Sequence, residues 1–279
     1  MSLSPQIQVS SAARGGLLER LPLILTLVAA SLLALHGPIA QPAHYHDFAD
    51  QRLLFGISNG ADVLSNAGFI LVGLWGLAAL WRHRRAEPLA AGWPGYALFL
   101  VALILTGLGS SFYHLSPDDL RLQWDRLPIA LACAGLLVGV RAETYPDTDS
   151  TAWLIALSAA AILSIAWWAG TDAYGLGDLR PYLLLQAAPL VLIPLWQAIS
   201  GAPAKDRRAF GLAILLYIAA KLTEIHDHAL LHLLGDTISG HTIKHLLATL
   251  AAGLLVHRLT QRMRGNSPAP LSFWDWRGL

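Results

Sequence analysis

Apolar residues run through this chain in long blocks, at about 19–37, 62–82, 93–114, 124–142, 151–169, 180–200, 208–228 and 241–260. Charged residues gather in the short stretches between them. A run of about 20 apolar residues crosses a bilayer as a helix. Backbone in hydrocarbon must satisfy its hydrogen bonds internally, and segments of this length do so as helices rather than barrel strands. The linkers carry the breakers Pro, Gly and Asp, and no repeat, low-complexity tract or second domain interrupts the series. The pattern predicts an all-α, polytopic transmembrane helix bundle. Its seven-helix core occupies residues 46–265, after an N-terminal helix within 1–45 and before a tail at 266–279. The first segment has a rival reading: Arg14 and Arg20, the apolar stretch Leu21 to Leu35, and the small residues Ala40 and Ala43 resemble a secretory signal peptide. Its removal would leave seven helices in the same orientation.

Composition supports the membrane reading. Only 13% of the 279 residues are charged and 55% are hydrophobic, with a mean hydropathy of +0.50. A soluble domain usually carries about a quarter charged residues to face water. The net charge of +1 says nothing about nucleic acid, and no basic helix or aromatic-basic stretch suggests it, so none is expected as a partner. The one cysteine, Cys133, rules out an intrachain disulfide and reads as a small packed hydrophobe.

Lys and Arg set the orientation. Twelve fall on one side: Arg14, Arg20, Arg82, Arg84, Arg85, Arg141, Lys205, Arg207, Arg208, Arg258, Arg262 and Arg264. Four fall on the other: Arg52, Arg121, Arg126 and Arg180. The richer side is expected to be cytoplasmic, with both termini, in a bacterial inner membrane. Of eleven histidines only His83 and His257 lie there, and the other nine belong to the opposite, periplasmic face. Ionisable residues at membrane depth are costly, so this segregation points to a site.

Three pieces of that face carry chemistry. The third apolar segment ends GSSFYH, placing Ser110 and His114 four apart on one helical face. The fourth begins WDRLP, with Asp125 in its first turn, and the last begins HTIKH, with His241 and His245 one turn apart. Two His at i and i+4 plus a third from another helix make a three-His site with a position left for water. Such an ion acidifies that water and polarises a carbonyl. Asp125 can then take the proton and Ser110 can donate to the oxyanion. Each piece also has a plain reading. HxxxH can be a polar helix end, and His114 an interfacial residue bonded to a loop. Asp125 can complement the helix dipole, and Ser110 can bond its i−4 carbonyl. Placing all five on one side favours the site.

These residues resemble the alkaline ceramidases, in the membrane-hydrolase superfamily that includes the adiponectin receptors. The likeness rests on Ser110-x-x-x-His114, Asp125 eleven residues on, His241-x-x-x-His245, and the strings DVLSN (Asp62 to Asn66) and GSSFYH. It runs from about His46 to Leu259. It implies zinc on His114, His241 and His245, Asp125 as the base, Ser110 as oxyanion stabiliser, and hydrolysis of a ceramide amide. Eukaryotic members hold calcium before the first core helix. The matching residues here are Asp47, Asp50, Asn59 and Asp62, with Asn59 where a carboxylate is expected and Arg52 where a neutral ligand is.

A second polar cluster, Glu224, His226, Asp227 and His228, offers Glu224 and Asp227 to orient the imidazoles through their free ring nitrogens. Lys221 is placed to pair with Glu224. Trp93, Trp124, Trp153, Trp167 and Trp168 read as interfacial anchors and packing. A lipid substrate should enter from the bilayer, and Gly107, Gly109, Ala132, Gly135, Ala219 and Ala220 are candidates to leave it room. The same small residues can instead mark close helix packing. Two other functions compete: a receptor-like protein that binds lipid without turnover, and a transporter or haem carrier with paired histidines at mid-bilayer depth.

Overall fold

The computed structural model describes residues 12–87, 89–146 and 149–266, so the tail expected beyond 266 lies outside the described residues. Among those described, the chain forms α1 (Ala12–His36), α2 (Gly60–Ser65), α3 (Ala67–Leu80), α4 (Trp93–Leu115) and α5 (Asp119–Thr144). There follow α6 (Ser150–Asp172), α7 (Arg180–Ile199), α8 (Ala204–Ile225), α9 (Asp227–Leu233) and α10 (Gly240–Asn266). Six spans are long and apolar enough to cross a membrane, with α2 and α3 counted as one, and α8 with α9 makes a seventh if that bent pair is a single span. The protein is an all-α polytopic membrane bundle. Large apolar side chains such as Leu71, Leu105, Leu108, Leu163 and Leu215 point outward, as a lipid-facing surface requires.

Local chemistry sets the helix ends. Asp118 caps α5, its side chain accepting from the Arg121 N–H at 2.7 Å. That cap starts α5 at Asp119, so Asp125 lies in its second turn and not its first. The helix-dipole explanation of Asp125 weakens accordingly, because that effect fades beyond the first turn. Pro94 and Pro181 open α4 and α7 in the first turn, where a missing N–H costs nothing. His226 leaves helical geometry between α8 and α9, and the chain bends there by 84°.

Packing puts α10 inside the bundle between α3 and α8, and α4 against α5 along most of their lengths. The α4–α5 contact is a glycine seam. A Cβ at Gly135 would strike the Phe99 amide, and one at Gly95 the Gly139 backbone. One at Gly109 would strike the Trp124 carbonyl, and one at Gly107 would meet Asn66 and Ile70. Gly107, Gly109 and Gly135 therefore serve close packing and do not open space for a ligand. By contrast α1 lies on α7 at the periphery, with Leu23, Leu27 and Leu32 exposed.

At the end away from the histidines, Arg258 is buried between Glu143 of α5 (2.5 Å) and Asp206 of α8 (3.1 Å). Tyr96 of α4 bonds Glu143, and Arg262 adds a second contact to it at 2.6 Å. Four helices are thus tied by one hydrogen-bonded ion network. Arg258 and Arg126 are both buried in the bundle rather than set in loops. Removing them from the two charge sets leaves eleven against three, so the asymmetry stands.

Candidate metal centre

A side chain from the last turn of α4 meets two from the first two turns of α10 at one end of the bundle. His114 projects from α4, and His241 and His245 project from adjacent turns of one face of α10. All three are buried. Their ring centroids are 4.7, 5.1 and 4.8 Å apart, and one ring nitrogen from each lies within 4.8 Å of the others. The Nε2 atoms of His114 and His241 are 3.2 Å apart. Two nitrogens bound to one tetrahedral zinc at about 2.0–2.1 Å would be separated by about 3.3 Å. The donor set fits a metal ion, and among the described residues it is the one His/Cys/Asp/Glu group of three or more that does.

Outer contacts fix the rings. The Ser65 hydroxyl lies 2.8 Å from His245 Nδ1 and donates to the Asp62 carbonyl at 2.9 Å. It therefore accepts from Nδ1–H, which turns Nε2 toward the cluster. Phe48 packs edge-on against His114 and His241, at 4.6 and 4.5 Å. Asn59 donates to the His114 carbonyl at 2.8 Å from a left-handed backbone conformation, φ 48°. Asn tolerates that region better than most residues, and such positions gather at functional sites.

The second polar cluster does different work from that expected. Asp227 accepts from the backbone N–H of His241 (2.7 Å) and of Ala49 (2.9 Å), so it anchors the start of α10 rather than an imidazole. Glu224 binds Lys221 at 2.7 Å, as the sequence suggested, and Lys244 at 3.0 Å. It reaches the imidazoles only through Lys244, whose Nζ is 2.8 Å from His241 Nε2. Lys244 was missed because it sits inside the HTIKH string, where the histidines draw the eye. Its signal was a lysine three residues, almost one turn, from a ligand candidate. His228 faces Asp47 at 3.6 Å.

Asp125 and Ser110 are both buried, and both line the cavity that His245 lines. That cavity, of about 250 Å³, runs from the histidine end through Thr106, Ala132 and Ala220 to Phe210 and Leu255. Ala132 and Ala220 of the small residues named above line it; Ala219 does not.

The four candidate calcium ligands have separate partners. Asp47 is exposed toward His228, and Asp50 makes a two-pronged pair with Arg52, at 2.8 and 2.6 Å. That guanidinium holds the Asp50 carboxyl below the usual carboxylate range. Asn59 is engaged with His114, and Asp62 accepts from Thr242 at 2.5 Å. The structure does not bring them together as a ligand set. Trp124 and Trp167 are exposed, as anchors are, but Trp168 is buried against Arg126. No family model and no curated protein matches the chain.

Proposed function

We propose that this protein is a zinc-dependent amidase that hydrolyses the N-acyl bond of ceramide or a similar N-acyl lipid. The observation that carries the reading is a buried three-His group at the head of an apolar cavity that also holds a carboxylate and a hydroxyl. His114, His241 and His245 would hold the ion. When bound, it supplies Lewis acidity, which polarises a carbonyl and acidifies water. Asp125 accepts the proton from the attacking water and returns it to the leaving nitrogen. Ser110, whose hydroxyl lines the same cavity, donates to the amide oxygen as charge develops there. The resemblance to alkaline ceramidases agrees, and the charge asymmetry supports a site at the periplasmic face of an inner membrane.

The haem reading is disfavoured by geometry, because nitrogens 3.2 Å apart cannot face each other across a macrocycle. The test of function is a screen of N-acyl lipids with purified protein, scored by release of fatty acid. Turnover by the native protein and none by His114→Ala is the expected result. A protein that binds zinc and ceramide yet releases no fatty acid from any N-acyl lipid would favour a receptor role.

A cavity near the lower end of the ligand-pocket range, about 300–1,000 Å³, has no room to spare. Ala220→Leu fills its middle, where space for about two methylenes is lost. At about 0.8 kcal/mol per methylene, long-chain kcat/KM should fall roughly tenfold. Short-chain turnover should change less, with metal content as in the native protein. Equal loss for every chain length would show that the acyl chain does not lie there.

A further inference from the structure

One charge in the cavity has no part in the chemistry above. Arg126 is 3% exposed and lines the cavity from α5, one residue beyond Asp125. Its guanidinium lies 4.3 Å from the ring centre of Trp168, 4.8 Å from Tyr45 and 5.6 Å from Tyr182. Those three rings come from α6, the segment before α2, and α7, so the head of the side chain is caged and aimed. Within the cage, Nη1 is buried and finds no hydrogen-bond partner among the described residues. Neighbouring cations are committed elsewhere: Lys221 and Lys244 to Glu224, Arg52 to Asp50, and Arg180 to Asp178.

A guanidinium at this depth is costly, and aromatic faces offset only part of its lost hydration. Buried charge that lines a cavity in a membrane protein marks a ligand path. The cavity wall carries Arg126, Lys221 and Lys244 against Asp125 and Glu224, an excess of positive charge that a metal ion would increase. Arg also presents a planar fork of donors suited to carboxylate or phosphate. Tyr45 and Tyr182 stand at the histidine end of their segments, which puts the cage level with the metal centre and not at the Phe210 end.

We propose that Arg126 is the receptor for an anionic head group, and that the substrate is an acidic N-acyl lipid. Its carboxylate or phosphate pairs with Arg126, its amide lies at the histidines, and its acyl chain runs toward Phe210. The position of the amide rests on the hydrolase reading; the anion site does not.

The test compares N-palmitoyl glycine, its methyl ester, and N-palmitoyl phosphoethanolamine, on the purified metal-loaded protein and on Arg126→Gln and Arg126→Lys. Binding of the same lipids is followed in parallel by quenching of tryptophan fluorescence. A hydrogen-bonded charge pair should favour the acid over the ester by roughly 10–100-fold. Arg126→Gln should collapse that ratio, and Arg126→Lys should keep part of it. The stronger of the two acids identifies the head group as carboxylate or phosphate. Binding that prefers the acid in an Arg126-dependent way, without any turnover, would uphold the anion site and overturn the hydrolase. Turnover with no preference for acid over ester overturns the anion site alone, and that comparison needs no variant to fold. Equal loss for acid and ester in Arg126→Gln, with Arg126→Lys no better, would likewise reduce Arg126 to a packing role and overturn it.

Discussion

His241→Ala and His245→Ala proteins should purify without metal and release no fatty acid from any N-acyl lipid. Each change leaves two of the three nitrogens that now lie within 4.8 Å of one another. Two imidazoles, one from α4 and one from α10, do not enclose an ion, and no carboxylate joins the group among the described residues. A contrast variant gives scale. Ser65→Ala removes the hydroxyl that turns His245, and loss of such an outer partner typically costs about 10–100-fold in metal affinity. Metal content at limiting zinc should therefore rank native, then Ser65→Ala, then the two ligand variants at background. Circular dichroism in detergent should be native for all of them, because the bundle is held by helix packing and by the Arg258 network at the opposite end. Stoichiometric zinc in His241→Ala would remove that residue from the site.

Much of this centre was legible in the chain because its parts are local. Ser110 and His114, or His241 and His245, are four apart, so helical geometry alone puts each pair on one face. The alternation of loops then brings α4, α5 and α10 to the same side. What the sequence hid is contact between segments remote in the chain. The bond from Ser65 to His245 spans 180 residues, and that from Asn59 to the His114 carbonyl spans 55. Asp227 was misjudged for the same reason: nothing local shows that the bend at His226 turns it toward a backbone N–H rather than a ring. The glycines were open to two readings for a different reason. A glycine leaves space on one helix, and whether a ligand or another backbone fills it depends on the neighbour's register. At Gly109 and Gly135 the backbone fills it. Arg126 was counted as a loop charge, because hydropathy does not report the aromatic rings that bury it.

Asp125→Asn should keep its metal and lose about 10²–10⁴-fold in turnover, the span a positioned general base contributes. The amide has nearly the shape of the carboxylate, so the second turn of α5 and its packing should survive, but it cannot take a proton. The metal should stay because the three nitrogens come from α4 and α10 alone. Ser110→Ala is a useful companion. It removes a donor, not a base, and oxyanion donors of this kind are worth about 10²–10³-fold. If Ser110 instead serves only to hold Asp125, the double variant should be no slower than Asp125→Asn. If it acts on the amide oxygen, the double variant should be slower still. Zinc analysis beside single-turnover rates separates the cases. Metal lost from Asp125→Asn would make Asp125 a ligand, and near-native turnover would leave the cavity without its base. Full zinc with a slow chemical step would assign proton transfer to Asp125, since Glu224, the other carboxylate lining the cavity, is tied to Lys221 and Lys244.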